Sequence, residues 1–244
     1  MAEAAVHLVG GGWDEEARDE VYGPFLAEAG PGATVACVVL DEGDGAGRAE
    51  RWRDVLGRSG DCRVRPVLVP EGGVLDVAAL GGADALLVSG GLTPAYAAAL
   101  APVADRLRAW CRGRPYLGFS AGAAVAAGRA LVGGWRLDGR AVCPEDAAED
   151  LDGLSVVDGL GLVPFALDVH AAQWGTLARL VAAVGSGAVG GGVALDEGTA
   201  LRVAGAALSV RGAGAAHVVR ASPEGVHVRS ITAGGLVPAA LLDP

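Results

Sequence analysis

The sequence predicts an α/β fold, a mostly parallel sheet covered by helices on both faces and continued by antiparallel hairpins. Three observations predict it. Short apolar runs alternate with longer segments of helical period through the first half, each run ends in turn chemistry, and beyond Gly190 the period drops to two.

In chain order, buried strands are expected at Val6–Val9, Thr34–Leu40, Val64–Val69, Ala85–Ser89 and Tyr116–Phe119. Helices are expected between them at Asp14–Ala29, Ala46–Arg58, Leu75–Leu80 and Thr93–Arg112. The strands end at Gly10-Gly11-Gly12, Asp41-Glu42-Gly43, Pro70-Glu71-Gly72, Gly90-Gly91 and Ser120. Ligands of open α/β sheets collect at the carboxyl ends of strands, so the two glycine loops and Ser120 should face one crevice. From Leu131 to Gly161 the pattern loosens, and the acidic run Glu145–Asp150 reads as a solvated loop or short helix. A strand at Leu162–Leu167 and a helix at Ala171–Val184 follow. Short strands at Val193–Leu195, Ala200–Val203, Ala207–Val210, His217–Val219 and Val226–Ile231 read as hairpins extending one edge of the sheet. One domain over residues 1–244 is expected, with the hairpin extension at about 190–235.

Composition narrows the function. The net charge is −10, and the 19 basic residues, all Arg, form no block, which argues against nucleic acid or anionic membrane as a partner. Cys37, Cys62, Cys111 and Cys143 lie far apart with no C-x-x-C pair, so free thiols in a reducing compartment are expected and no metal or other cofactor. The start, Met1-Ala2-Glu3-Ala4, lacks the basic and apolar regions of a signal peptide. The uncharged stretch Ala85–Ala104 is broken by Ser89-Gly90-Gly91 and Thr93-Pro94, so a cytoplasmic protein is expected.

The run Pro115–Ala127 holds one serine in a Gly118-x-Ser120-x-Gly122 turn between an apolar strand and an Ala-rich, helix-forming segment. That is the pattern of a nucleophile elbow, where the glycines permit a sharp turn and close neighbours while the hydroxyl stands above the sheet. Close strand–helix packing would use the same small residues. A serine needs a base and a group that orients the base. Of four histidines, His7 falls inside a strand and His217 and His227 in the hairpins, whereas His170 closes an apolar strand as part of a strand-end loop. Asp196 and Glu197 sit together at the mouth of another buried strand, a better place for a functional carboxylate than Glu145–Asp150. Gly10-Gly11-Gly12-Trp13-Asp14-Glu15 is a poor phosphate loop, because Glu15 stands where a third glycine belongs and two acids would repel phosphate.

Gly90-Gly91, the elbow, Gly159-Leu160-Gly161-Leu162 leading to Asp168-Val169-His170, and Asp196–Ala200 together resemble the cyanophycinase branch of the serine peptidases that include dipeptidase E. The resemblance runs from Val6 to about Val203 and implies a three-layer sandwich similar to class I glutamine amidotransferases. It also implies Ser120 as nucleophile, His170 as general base, Glu197 as orienting acid, and backbone N–H groups of Gly91 and Ala121, with Gly90, as the oxyanion hole. Dipeptidase E carries its acid between Ser and His, which keeps Asp138 as an alternative.

Departures from the family pattern concern the substrate. Where cyanophycinases carry Gln before and Phe after the histidine, then an Arg-rich continuation that holds charged groups, this chain has Val169, Ala171, Trp174 and Thr176, with Arg179 alone of the Arg series. Trp174 is therefore a candidate substrate contact with an apolar face, and Trp13 a second wall. The leading expectation is a serine hydrolase acting on a small-molecule or peptide substrate, an amide, peptide or ester. Acyl transfer or cyclisation by the same residues, or a non-catalytic binding protein on the same fold, are the alternatives, and a homodimer is left open.

Overall fold

The computed structural model describes residues 4–238; Met1–Glu3, on which part of the signal-peptide expectation falls, and residues 239–244 lie outside the described residues. Strands β1 (Val6–Val9), β2 (Ala33–Asp41), β3 (Cys62–Pro70), β4 (Ala85–Val88) and β5 (Tyr116–Phe119) run parallel in the order β1-β5-β4-β2-β3. Next along the chain come β6 (Arg129–Gly133), β7 (Arg136–Leu137), β8 (Arg140–Ala141) and β9 (Ser155–Asp158), which form two small hairpin-like sheets, β6 with β9 and β7 with β8. The remainder are β10 (Ala166–Val169), β11 (Gly191–Leu195), β12 (Thr199–Ala204), β13 (Ala207–Gly212), β14 (Ala215–Ser222), β15 (Gly225–Thr232) and β16 (Leu236–Pro238).

Helices α1 (Arg18–Ala29), α2 (Gly45–Ser59), α3 (Thr93–Leu100), α4 (Ala104–Cys111), α5 (Ala121–Ala124) and α6 (Leu177–Gly185) complete the fold. Alternate residues of β2 explain the layers. Val35, Cys37 and Val39 pack with Phe25 of α1 and Trp52 and Leu56 of α2, whereas Ala36, Val38 and Leu40 pack with Leu100 of α3 and Leu107 of α4. Both faces of β2 are buried, so its sequence is apolar throughout rather than alternating. Each fully buried Val, Leu or Phe side chain contributes roughly 1.5–3 kcal/mol, which makes this two-sided packing the main anchor of the central strands. The three-layer, mostly parallel architecture is as expected.

Four expectations about elements are corrected. The segment Thr93–Arg112 is not one helix: Pro102, which has no N–H to donate, interrupts it with a 3₁₀ turn at Ala101–Val103 between α3 and α4. Leu75–Leu80 supplies only a 3₁₀ turn at Val77–Leu80, capped by the Asp76 side chain on the Ala78 N–H and stopped by Gly81. The helix expected from Ala171 starts at Leu177, because Ala171 and Ala172 bond to Leu195 O and Asp196 Oδ1 and Gly175 turns with φ +71°. The expected Leu162–Leu167 strand begins after Pro164, as β10, so that His170 follows it directly.

The terminal strands form as expected, but only some extend the main sheet. Strands β12, β13 and β16 add to it antiparallel beside β1. Strands β11, β14 and β15 instead join β10 in a second sheet of order β10-β11-β14-β15. The tight turn between β11 and β12 makes the switch: Asp196 N–H bonds Ala215 O on the second sheet's side, whereas Gly198 N–H bonds Gly11 O behind β1. Leu180, Ala183 and Val184 of α6 cover one face of the second sheet. Among the described residues no helix is long and apolar enough to cross a membrane.

Candidate active site

The elbow serine caps β5 in a backbone conformation that few L-residues adopt, with φ 51° and ψ −111°. Both flanking glycines are required by contact. A Cβ on Gly118 would lie 2.4 Å from Gly122 O, and one on Gly122 would lie 2.1 Å from Val88 O. Helix α5 spans one turn, shorter than the Ala-rich segment promised, because the carbonyls of Val125, Ala126 and Ala127 accept from the Leu160–Val163 segment. An extended helix dipole is therefore not available to Ser120.

Ser120 Oγ lies 2.8 Å from His170 Nε2, and His170 Nδ1 lies 2.6 Å from Glu197 Oε1. A carboxylate can only accept, so Nδ1 carries the proton and donates to Glu197, leaving Nε2 to accept from the serine hydroxyl. Ser120 and His170 are buried, and Glu197 is half-buried. Burial holds the His170 pKa below the usual histidine value of 6.5, opposed by the Glu197 hydrogen bond and charge. The imidazole is thus neutral near pH 7 and free to accept a proton.

A three-glycine loop after β1 supports this chain of bonds. Gly10 O accepts from the His170 N–H at 2.9 Å, and Gly11 O accepts from the Gly198 N–H at 2.9 Å. Side chains cannot be accommodated there: a Cβ on Gly11 would lie 2.1 Å from His170 Cε1, and one on Gly12 would lie 2.6 Å from Glu197 Cβ. The loop that reads poorly as a phosphate site is the bed on which the histidine and the acid rest. Gly11→Ala, at φ +94°, should cost on the order of 1–3 kcal/mol and displace His170. Thermal unfolding and the rate of Ser120 modification would both register that change, and wild-type values of both would contradict it.

The neighbouring acids have different occupations. Asp196 accepts from the Ala172 and Ala215 N–H groups and lies 3.1 Å from His217 Nε2, so it ties loops together. Asp138 sits exposed in the turn between β7 and β8, and His170 Nδ1 is already bonded to Glu197. His7 pairs with Glu28 under α1 at 3.3 Å. Arg179 is buried against Asp168 through two bonds of 2.9 and 2.8 Å and is closed to ligands.

Gly90 and Gly91 follow β4, and a Cβ on Gly90 would meet Ser120 Cβ at 3.1 Å. Among the described residues the Gly91 and Ala121 N–H groups have no acceptor. Trp174 stacks on the His170 ring, centroids 3.8 Å apart and planes within 8°. Trp174, expected to contact substrate, lines the cavity while one face rests on the histidine.

Ser120, His170, Glu197, Gly90, Gly91 and Trp174 open on one cavity of about 1160 Å³. Trp13, Trp52, Phe119 and Trp135 supply aromatic wall. The acidic run forms a short 3₁₀ turn at Glu145–Ala147 and stays largely exposed, as expected, while bordering the cavity. Glu145, Asp146, Glu149 and Asp150 line the cavity with Asp152, and burial raises the Glu149 carboxyl above its ordinary value. Among the described residues no cluster of three or more His, Cys, Asp or Glu side chains is arranged to hold a metal ion.

The sequence model of peptidase family S51 matches residues 46–211, which include Ser120, His170 and Glu197. No curated protein matches the chain. Among solved structures, the 1.5 Å crystal structure of a candidate peptidase E protein from Listeria monocytogenes EGD-e matches with a TM-score of 0.59 at 17% identity. The match covers 86% of this chain and 99% of that one. At that identity the likeness speaks to the fold alone, the class I glutamine amidotransferase-like arrangement expected from the sequence.

Proposed function

Because the chain belongs to peptidase family S51, we propose that it is a serine hydrolase working through an acyl-enzyme on Ser120. The observation that carries this reading is the continuous hydrogen-bonded line from Ser120 through His170 to Glu197, starting at a strained serine. His170 Nε2 takes the hydroxyl proton as Oγ attacks the substrate carbonyl carbon, and the Glu197 charge stabilises the imidazolium that forms. The N–H groups of Gly91 and Ala121 receive the developing oxyanion; one such donor is typically worth about 3 kcal/mol of barrier. Collapse expels the amine or alcohol, which takes the proton from His170. Water then adds to the acyl group with His170 again as base, and Ser120 is released.

The substrate is a small amide, peptide or ester without a carboxylate beside the scissile bond. Of the arginines in reach, Arg179 is committed to Asp168, Arg48 is paired with Glu42, and Arg51 lies over the Trp13 ring. The acids along the cavity add repulsion. An unpartnered buried carboxylate costs about 3 kcal/mol or more, over a hundredfold in specificity, so β-aspartyl-arginine peptides should be poor substrates. Their efficient cleavage by the wild-type protein would overturn this substrate assignment.

A panel of small amides, peptides and esters, followed by intact-mass detection of the acylated protein, tests the reaction. Transient acylation of the wild type and its absence in Ser120→Ala are expected. Adding hydroxylamine separates hydrolysis from transfer to an amine. Acylation that persists in Ser120→Ala would refute the mechanism.

A further inference from the structure

Between β4 and α3 the two peptide groups flanking Gly91 are pinned from one side. Gly90 O accepts from the Tyr96 hydroxyl at 3.1 Å and from Arg48 Nη1 at 3.3 Å. The Tyr96 oxygen itself accepts from the Leu40 N–H at 3.0 Å, which leaves the phenol proton for Gly90 O. Beyond Gly91, the Leu92 N–H donates to Glu42 Oε1 at 3.3 Å, and Glu42 Oε2 binds Arg48 Nη2 at 2.6 Å. A ring of side chains therefore closes around the loop. A Cβ on Gly91 would meet the side-chain ends of Arg48 (Nη1, 2.8 Å) and Glu42 (Oε2, 2.9 Å), and its φ of +154° is one that L side chains rarely adopt, which favours glycine.

The Gly90 carbonyl and the Gly91 N–H belong to one trans peptide unit and point in opposite directions. Holding the oxygen fixes the direction of the N–H. We propose that Arg48 and Tyr96 are positioning residues that aim the Gly91 N–H over Ser120 by gripping the opposite end of its own peptide. This rests on reading Ser120 as the nucleophile and the Gly91 N–H as an oxyanion donor. Burial pushes the Tyr96 pKa up to about 12, so the hydroxyl stays a donor throughout the working pH range. Without the grip, peptide rotation would leave a donor present but poorly directed, a partial loss compared with deleting it.

The test uses a fluorophosphonate, whose attack by serine passes through the same charged oxygen, and separates its binding constant KI from the maximal labelling rate kinact. Arg48→Met should lower kinact by about 10- to 100-fold with KI changed by less than about twofold, and Arg48→Lys should restore most of it. Tyr96→Phe, which keeps the buried ring, should show the same kind of loss and decides the matter should Arg48→Met fail to fold. A kinact within about twofold of wild type in the folded variants overturns the proposal. So does a loss confined to KI or one that Arg48→Lys leaves unrestored. Failure of the wild-type protein to label at all overturns the reading of Ser120, and the proposal with it, whereas wild-type labelling with unaffected variants removes the proposal alone.

Discussion

Replacing Ser120 by alanine should lower turnover by about 10⁴- to 10⁶-fold and leave the fold intact. The serine already holds a Cβ at φ 51°, so alanine brings no new backbone cost. Only the bond to His170 Nε2 is lost, and the stability change should stay within about 1 kcal/mol. Circular dichroism and thermal unfolding check the fold, and initial rates on the best substrate of the panel check the chemistry. Residual turnover within tenfold of wild type would move the nucleophile elsewhere.

Glu197→Gln should cost roughly 10³- to 10⁴-fold in kcat, because glutamine keeps the shape but loses the charge that stabilises imidazolium and selects its tautomer. Combining it with Ser120→Ala should add almost nothing further, since the three groups act as a unit. Asp138→Asn should be near wild type, its carboxyl being exposed in the β7–β8 turn. The reverse pattern would make Asp138 the orienting acid. A pH profile gives an independent sign. The base works only when neutral, so activity falls as pH drops through the folded His170 pKa, which burial places below 6.5. Glu197 raises that pKa, so removing its charge should move the acid limb further down. A limb that moves up would contradict the assignment.

The strands and the elbow were legible because β1, β2, β4 and β5 are short apolar runs closed by glycine or acidic turns, a local signal. Boundaries were less so where tertiary bonds overrule local preference, as for the carbonyls of Val125–Ala127 that shorten α5. Sequence could bring Asp196 and Glu197 to the right strand end but had only resemblance to choose between them. The distinction lies in partners: Asp196 is held by Ala172 and Ala215. Least legible were the Gly10–Gly12 bed and the Arg48–Glu42 pair. Their meaning depends on contacts with His170, Glu197 and Gly90, distant in sequence, and no local pattern encodes them.

Peptide mapping by mass spectrometry after fluorophosphonate treatment of the wild-type protein is the most direct test of the central claim. Ser120 should carry the label alone, because it is the serine bonded to a buried imidazole inside the cavity; Ser230 Oγ also lies 2.7 Å from a ring nitrogen, His217 Nδ1, but is exposed on β15 outside the cavity lining. Ser89 accepts from Trp52 Nε1 and Ser155 donates to Gly153 O, so neither has a base. A label on Ser89 or Ser155, or no covalent label at all, would contradict the account.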